Sequence, residues 1–294
     1  MTYWHAILLG LLQGVTEFLP VSSSGHLRVA EYFTGLTGPQ TLFDVSLHAG
    51  SLLAIILVFR RDLLDMVLSP FRIPGQIRES GWKAPFHDSG FRGALLVVFG
   101  SIPTGFIGYY LGPRFENMAG ALEFVAMMFI VNALILFASN RVVLPLASKR
   151  RMNTGFLGIR FFDAFFIGIA QGFAVIRGIS RSGTTISAAM MLGVDRVTAG
   201  KFSFLLSIPA IVGALFLNLK DVSTVGAPPM EMMLIGAAVA FVSGAIALKL
   251  LMAVVRQGRF HRFGWYTLFL GLGLLAWLHY ESEIVTFWQS VTQG

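Results

Sequence analysis

Glu17, Ser23, His26 and Arg181 are residues whose types and neighbours could do chemistry in this chain. Gln13 and Glu17 stand four apart, so on a helix they share a face. An acid in an apolar stretch is costly and usually faces a cavity or a polar partner. Here it either serves a reaction or hydrogen-bonds a neighbouring helix for packing. Pro20 stops that helix, and Ser22, Ser23 and Ser24 can cap another, whose first turn offers unpaired N–H groups and a positive dipole end. Gly25 lets backbone or ligand come close. His26 follows Ser23 by three residues, a spacing that would bring imidazole and hydroxyl together as base and nucleophile. The alternative is a Ser-rich cap beside a buried, hydrogen-bonded His.

A second segment answers the first. Gln13-Gly14 opens one and Gln171-Gly172 the other; aligned on these, both run apolar helix, then a break at Pro20 or Gly178, then Ser-x-Ser-Gly. The second copy carries Ser180, Arg181, Ser182, Thr184 and Thr185: hydroxyls and a guanidinium at another helix start. The planar fork of Arg suits a phosphate, and a helix N-terminus favours the same ligand. Arg181 could instead be the structural partner of an acid. Arg177 adds a second cation, which could pair with Glu17 or point to water. Asp44 and His48, four apart at the start of a span, either line the same cavity or serve as an interfacial cap and a satisfied His. No carboxylate-rich or His-rich cage is evident, although Glu17 and a diphosphate could hold a divalent ion between them.

The elements that must position these residues are membrane helices. Hydrophobic residues make up 55% of the chain and charged ones 13%, and the mean hydropathy is +0.73, which excludes an ordinary soluble domain. Apolar runs near the roughly 20 residues that cross a bilayer occur at 41–59, 92–111, 119–138, 198–217, 230–251 and 263–280. The shorter runs 3–19 and 161–176 are each followed by a second short piece and read as broken, re-entrant pairs. The fold expected is all-α and integral to the membrane: six transmembrane helices plus two re-entrant helix pairs. The N-terminal run has no preceding base and carries polar residues early, unlike a cleaved signal. There is no cysteine, so disulfides and thiolate metal sites are excluded.

The net charge of +7 follows topology. Arg60, Arg61, Arg72, Arg78, Lys83 and Arg92 lie in or beside the first long loop. Arg141, Lys149, Arg150, Arg151 and Arg160 flank the central one, and Lys249, Arg256, Arg259 and Arg262 the last. The intervening loops offer only Arg114 and Lys220, and the C-terminal tail has Glu281 and Glu283. Bases thus follow every second span, as the positive-inside rule requires, which argues against a nucleic-acid partner. On that parity both termini face outside, and the two halves of one membrane domain (about 1–150 and 151–294) have opposite orientation. Paired broken segments in an inverted-topology repeat place a site where the two halves meet.

Gln13-x-x-x-Glu17, the following Phe18-Leu19-Pro20-Val21-Ser22-Ser23-Ser24-Gly25-His26, and Gly178-Ile179-Ser180-Arg181-Ser182-Gly183 with Thr185 resemble the two signature motifs of the bacterial undecaprenyl-diphosphate phosphatase family, the bacitracin-resistance type of integral membrane enzyme. Phe43-Asp44-Val45, Gly50-Ser51-Leu52-Leu53-Ala54 and the run 202–209 are similar to further family segments, so the likeness covers essentially the whole chain. Arg177 stands where the second motif usually has Pro, and His48 where Gln would be expected. The resemblance implies hydrolysis of undecaprenyl diphosphate to the monophosphate carrier lipid, with recycling for wall polymers such as peptidoglycan and resistance to bacitracin. It implies a site opening on the outer side of the bacterial cytoplasmic membrane, with Mg²⁺ or Ca²⁺ as cofactor. It also leaves room for a homodimer. Position by position, Glu17, Ser23, His26 and Arg181 would be catalytic, Glu17 also touching metal; either Ser23 attacks, activated by His26 or Glu17, or Glu17 and the metal activate water while Ser23 positions phosphate. Ser180 and Thr185 fall in the matching phosphate-binding motif; on their own chemistry and placement Ser22, Ser182 and Arg177 would also bind phosphate, supported by Gln13, Gly25 and Gly178. A different class of function, a flippase returning the lipid phosphate across the bilayer, would use the same Arg and helix termini but needs no nucleophile, base or metal.

Overall fold

The computed structural model describes residues 2–35, 41–118, 120–147, 155–220 and 228–292, and within these it contains helices and no strand. In chain order the helices are α1 (Tyr3–Phe18), α2 (Ser23–Thr34), α3 (Thr41–Val58), α4 (Arg60–Ser80), α5 (Ser89–Met118) and α6 (Leu122–Ala147), followed by α7 (Phe161–Phe173), α8 (Arg181–Met191), α9 (Arg196–Lys220), α10 (Met230–Arg256) and α11 (Phe263–Thr292). Position 119, Lys149, Arg150, Arg151 and the boundary expected near 150 lie outside the described residues, as do the side chains of Arg141, Lys220 and Glu283.

Among the described residues, four helices are long and apolar enough to cross a membrane: Ser89–Phe115, Leu122–Asn140, Arg196–Leu217 and Met230–Arg256. They match the spans expected over 92–111, 119–138, 198–217 and 230–251. A fifth would be the pair Leu42–Val58 and Arg60–Ser80, bent by 76°. The expected sixth span, 263–280, is helical but is not among them. Trp265, Tyr266, His279 and Tyr280 cluster near its ends and dilute its apolar character, a distribution suited to membrane interfaces. The long basic loop expected after Phe59 is instead largely helical. Along α4, Leu64, Val67, Leu68 and Phe71 form one exposed face, and Met66 and Ser69 are buried on another. Arg72 pairs with Asp65 within the helix, and the helix is tied down by Arg72 to Asp88 at 3.5 Å and by Gln76 to Asp88 at 2.8 Å, and by Lys201 of α9 to Asp62 at 2.8 Å. Its charges had hidden the 3.6-residue period of its apolar face.

The two broken pairs do not pack as isolated hairpins. α1 lies against α10, where a Cβ at Gly10 would stand 2.6 Å from Gly236 O and one at Gly14 2.5 Å from Ala240 O. α7 lies against α5, where a Cβ at Gly168 would stand 2.0 Å from Gly100 O. Glycines four apart let helix backbones approach closely where lipid gives no hydrophobic drive to associate. Each pair's first helix therefore rests on a long apolar helix distant in sequence, and both breaks meet a third, α6, through Asn132. Exposed Val98, Ile102, Phe106, Leu134, Leu234, Val242, Ile246 and Phe269 form the outer apolar surface.

Candidate active site

The break between α1 and α2 is made by Pro20, which follows the last turn of α1, and by Ser22. With φ of 69°, Ser22 is the one non-glycine among the described residues in the positive range. Such backbone costs about 1–3 kcal/mol and gathers at functional sites. Ser22 Oγ accepts from Gly25 N at 3.3 Å and also from Gly178 N at 3.1 Å, so it caps its own helix and reaches the other break. In the second break, Gly178 takes φ of +100°, and a Cβ there would lie 2.5 Å from Met128 Cβ. Ser180 Oγ caps α8 through Gly183 N at 3.1 Å.

Beside the capped N-termini of α2 and α8, four of the expected residues meet: Gln13, Glu17, Ser23 and Arg181. Ser23 Oγ donates to Glu17 Oε2 at 2.5 Å, and Arg181 Nη2 donates to Glu17 Oε1. Gln13 Nε2 donates to Glu17 Oε2 at 3.1 Å and lies 2.9 Å from His48 Nδ1. Glu17 and Gln13 are buried, and the Arg181 side chain keeps 19% of its surface exposed. A buried acid so far inside an apolar fold needs such pairing, because unpaired it would cost several kcal/mol. Both carboxylate oxygens are engaged, one by the cation and one by the hydroxyl.

His26 is placed elsewhere. Its Nδ1 donates to Ser22 O at 2.7 Å, so Nε2 is left to accept from Tyr266 Oη at 2.8 Å. The ring stacks on Tyr266 with 5.7 Å between centroids and meets the edge of Phe129. The hydroxyl partner of Ser23 is thus Glu17, and His26 braces the start of α2 against α11.

The expected phosphate-binding hydroxyls mostly serve the scaffold. Ser182 Oγ donates to Leu19 O at 3.3 Å, and Thr185 Oγ1 donates to Arg181 O at 2.8 Å and contacts Ser203 Oγ. Ser22 and Ser180 are caps. Arg177 sits in the second break, within electrostatic range of Asp44 and His48. Gly25 is required by contact, since a Cβ there would stand 2.7 Å from Phe129 Cζ and 3.1 Å from Gly178 Cα.

Two participants had not been singled out from the sequence. Tyr266 is one; nothing in its local pattern announces His26 as a partner. Asn132 is the other, fully buried on α6. Its signal was available, as a lone amide within the apolar run Phe129-Ile130-Val131-Asn132-Ala133-Leu134.

No group of three or more His, Cys, Asp or Glu gathers among the described residues, so these residues form no all-protein metal cage. They do offer Glu17 and Gln13 Oε1, a buried oxygen with no hydrogen-bond partner. Such a sparse oxygen set fits Mg²⁺, which is commonly held by one or two carboxylates and completed by substrate phosphates and water.

Fold and site together define a multi-pass helical membrane protein in which a buried carboxylate meets a half-buried hydroxyl and guanidinium where two broken helix pairs come together. The family model described as bacitracin resistance protein BacA matches residues 6–273, and the chain belongs to that family. It is 44% identical over 280 residues to the undecaprenyl-diphosphatase of Desulfosudis oleivorans, covering 93% of this chain and 97% of that one. It is 41% identical over 277 residues to the undecaprenyl-diphosphatase of Desulforapulum autotrophicum, covering 92% and 97%. To the protein of that name from Methanobrevibacter smithii it is 36% identical over 273 residues, covering 91% and 95%.

Proposed function

We propose that this protein hydrolyses undecaprenyl diphosphate to undecaprenyl phosphate and inorganic phosphate. The observation that carries this reading is Glu17, whose carboxylate holds the Ser23 hydroxyl on one oxygen and the Arg181 guanidinium on the other. A diphosphate entering the site competes with Glu17 for Arg181, whose fork suits two phosphate oxygens. Glu17, released from its cation, takes the Ser23 proton as Oγ attacks the terminal phosphorus. The bond from that phosphorus to the bridging oxygen breaks, and the lipid monophosphate leaves with the proton that Glu17 had taken. Water, losing its proton to the freed Glu17 carboxylate, then cleaves the phosphoserine; Glu17 returns that proton to Ser23 Oγ as inorganic phosphate departs. Arg181 and the first N–H groups of α2 and α8 stabilise the charge on the transferring group. A divalent ion, held by Glu17 and Gln13 Oε1, would supply further neutralisation of phosphate charge.

The fold that suits this reaction has six spans and two re-entrant pairs, α1–α2 and α7–α8, in a single membrane domain of two inverted halves divided near residue 150. The packing of α1 from the first half on α10 of the second, and of α7 from the second half on α5 of the first, supports that reading, as does the spacing of basic segments in the sequence. We place the protein in the cytoplasmic membrane with the site open to the outer side. The product would return as carrier for wall polymers, and its turnover would confer bacitracin resistance. Phosphate release from undecaprenyl diphosphate by purified protein in detergent tests the reading, with Mg²⁺ and then with EDTA. Release that depends on the metal is expected. Lipid binding without release would instead favour transport.

A further inference from the structure

Asn132 joins the two breaks through one carboxamide. Its Nδ2 donates to Pro20 O at 2.9 Å, and its Oδ1 accepts from Ser180 N at 2.9 Å. The orientation of the amide is fixed by its partners, since a backbone N–H only donates and a carbonyl only accepts. Both partners sit at chain positions where the helical ladder is interrupted. Pro20 comes three residues after Glu17, and Ser180 is the residue before Arg181. α6 itself belongs to neither broken pair, and the same helix face supplies Met128 beneath Gly178 and Phe129 beneath Gly25.

We infer that Asn132 is a positioning residue for the reaction, holding the break that carries Glu17 and Ser23 at a fixed distance from the break that carries Arg181. The inference rests on the hydrolysis proposed above. At rest, the Glu17–Arg181 ion pair itself links the breaks. Once Arg181 turns to phosphate, that link opens and the register depends on the remaining ties. Ser22 to Gly178 and Ser182 to Leu19 connect one break directly to the other. Asn132 anchors both to a third helix, so the guanidinium can change partner without the two helix starts drifting. Misplacement of about 1 Å at reacting groups can cost on the order of a hundredfold in rate.

The test is phosphate release by wild type, Asn132→Leu and Asn132→Asp, with thermal stability measured on each. Asn132→Asp keeps an acceptor for Ser180 N but loses the donor to Pro20 O, and it guards against a leucine variant that fails to fold. Asn132→Leu should lower kcat by about tenfold to a hundredfold with KM within about twofold. Asn132→Asp should lower kcat in the same direction. Combined with Arg181→Lys, which keeps a charge without the fork, Asn132→Leu should cost much less than it does alone, because the geometry it protects has already been lost. A folded Asn132→Leu or Asn132→Asp protein with wild-type kcat would overturn the inference. So would an equal fractional loss in the Arg181→Lys background, the mark of a general structural role. A wild type that releases no phosphate would overturn the hydrolysis and this inference together, whereas the preceding outcomes overturn the inference alone.

Discussion

At the break between α1 and α2, Ser22 caps its helix through Gly25 N; at the break between α7 and α8, Ser180 does so through Gly183 N. Gln13 and Gln171 stand at matching positions, each with its amide nitrogen engaged and its buried oxygen unpartnered. Gly10 and Gly14 seat α1 on one long helix, and Gly168 and Gly172 seat α7 on another. Against that shared plan the side chains at the breaks diverge. Glu17 faces Val175 in the alignment, Ser23 faces Arg181, and His26 faces Thr184. The backbone diverges too, with Ser22 at φ 69° and Ser180 at φ −81°. Two similar breaks therefore carry unlike chemistry: the first brings the Glu17 carboxylate before it and the Ser23 hydroxyl after it, the second brings the Arg181 cation. A reaction needing both a base and a phosphate clamp uses the scaffold once, across the junction, rather than twice.

Exchanging the unlike residues would break this division most severely. Ser23→Arg or Arg181→Ser alone should lower turnover by about a thousandfold or more, on the scale of losing a donor that stabilises the transition state. The two combined should restore nothing, because Glu17 is present in the first copy only. Recovery of activity in the double exchange would show the two copies to be interchangeable. Glu17→Gln keeps shape and removes the base, and should cost about 10²–10⁴-fold in kcat.

Smaller effects sharpen the contrast within the first copy. Tyr266→Phe removes one hydrogen bond from His26, worth about 1 kcal/mol, and should slow phosphate release by less than tenfold. His26→Asn should also stay well below the loss from Glu17→Gln. Equal losses from His26→Asn and Glu17→Gln would return His26 to the role of base. The smallest difference lies in packing. Gly25→Ala meets Phe129 and the Gly178 backbone and should destabilise by about 1–3 kcal/mol, seen as a lower Tm. Gly183→Ala meets Ser180 Cβ at 3.0 Å and Pro20 Cβ at 3.2 Å and should cost less.

The parts legible in the sequence are those set by local chemistry. Pro20, the Ser caps and the Gly178 turn mark both breaks because each acts on its own neighbours. Glu17 and Arg181 drew attention because charge inside an apolar fold demands a partner, and the structure makes them partners across 164 residues of sequence separation. What stayed hidden depends on pairings that spacing does not encode. Ser23 and His26 have the spacing of a pair, yet the Ser22 carbonyl and Tyr266 hold the imidazole while Glu17 holds the hydroxyl. Asn132 touches two chain segments remote from it, and only the fold brings them within reach. α4 was obscured for another reason, since Arg60, Arg61, Asp62 and Asp65 crowd its first turns and mask an apolar stripe one residue type at a time.

The most direct test of a site built from both breaks is acid-quenched turnover of undecaprenyl diphosphate, followed by mass spectrometry of the peptide containing Ser23. A phosphoserine at Ser23 is expected in the wild type, strongly reduced in Arg181→Ser and absent, with turnover, in Ser23→Ala. Phosphate release that persists near the wild-type rate in Ser23→Ala would contradict it.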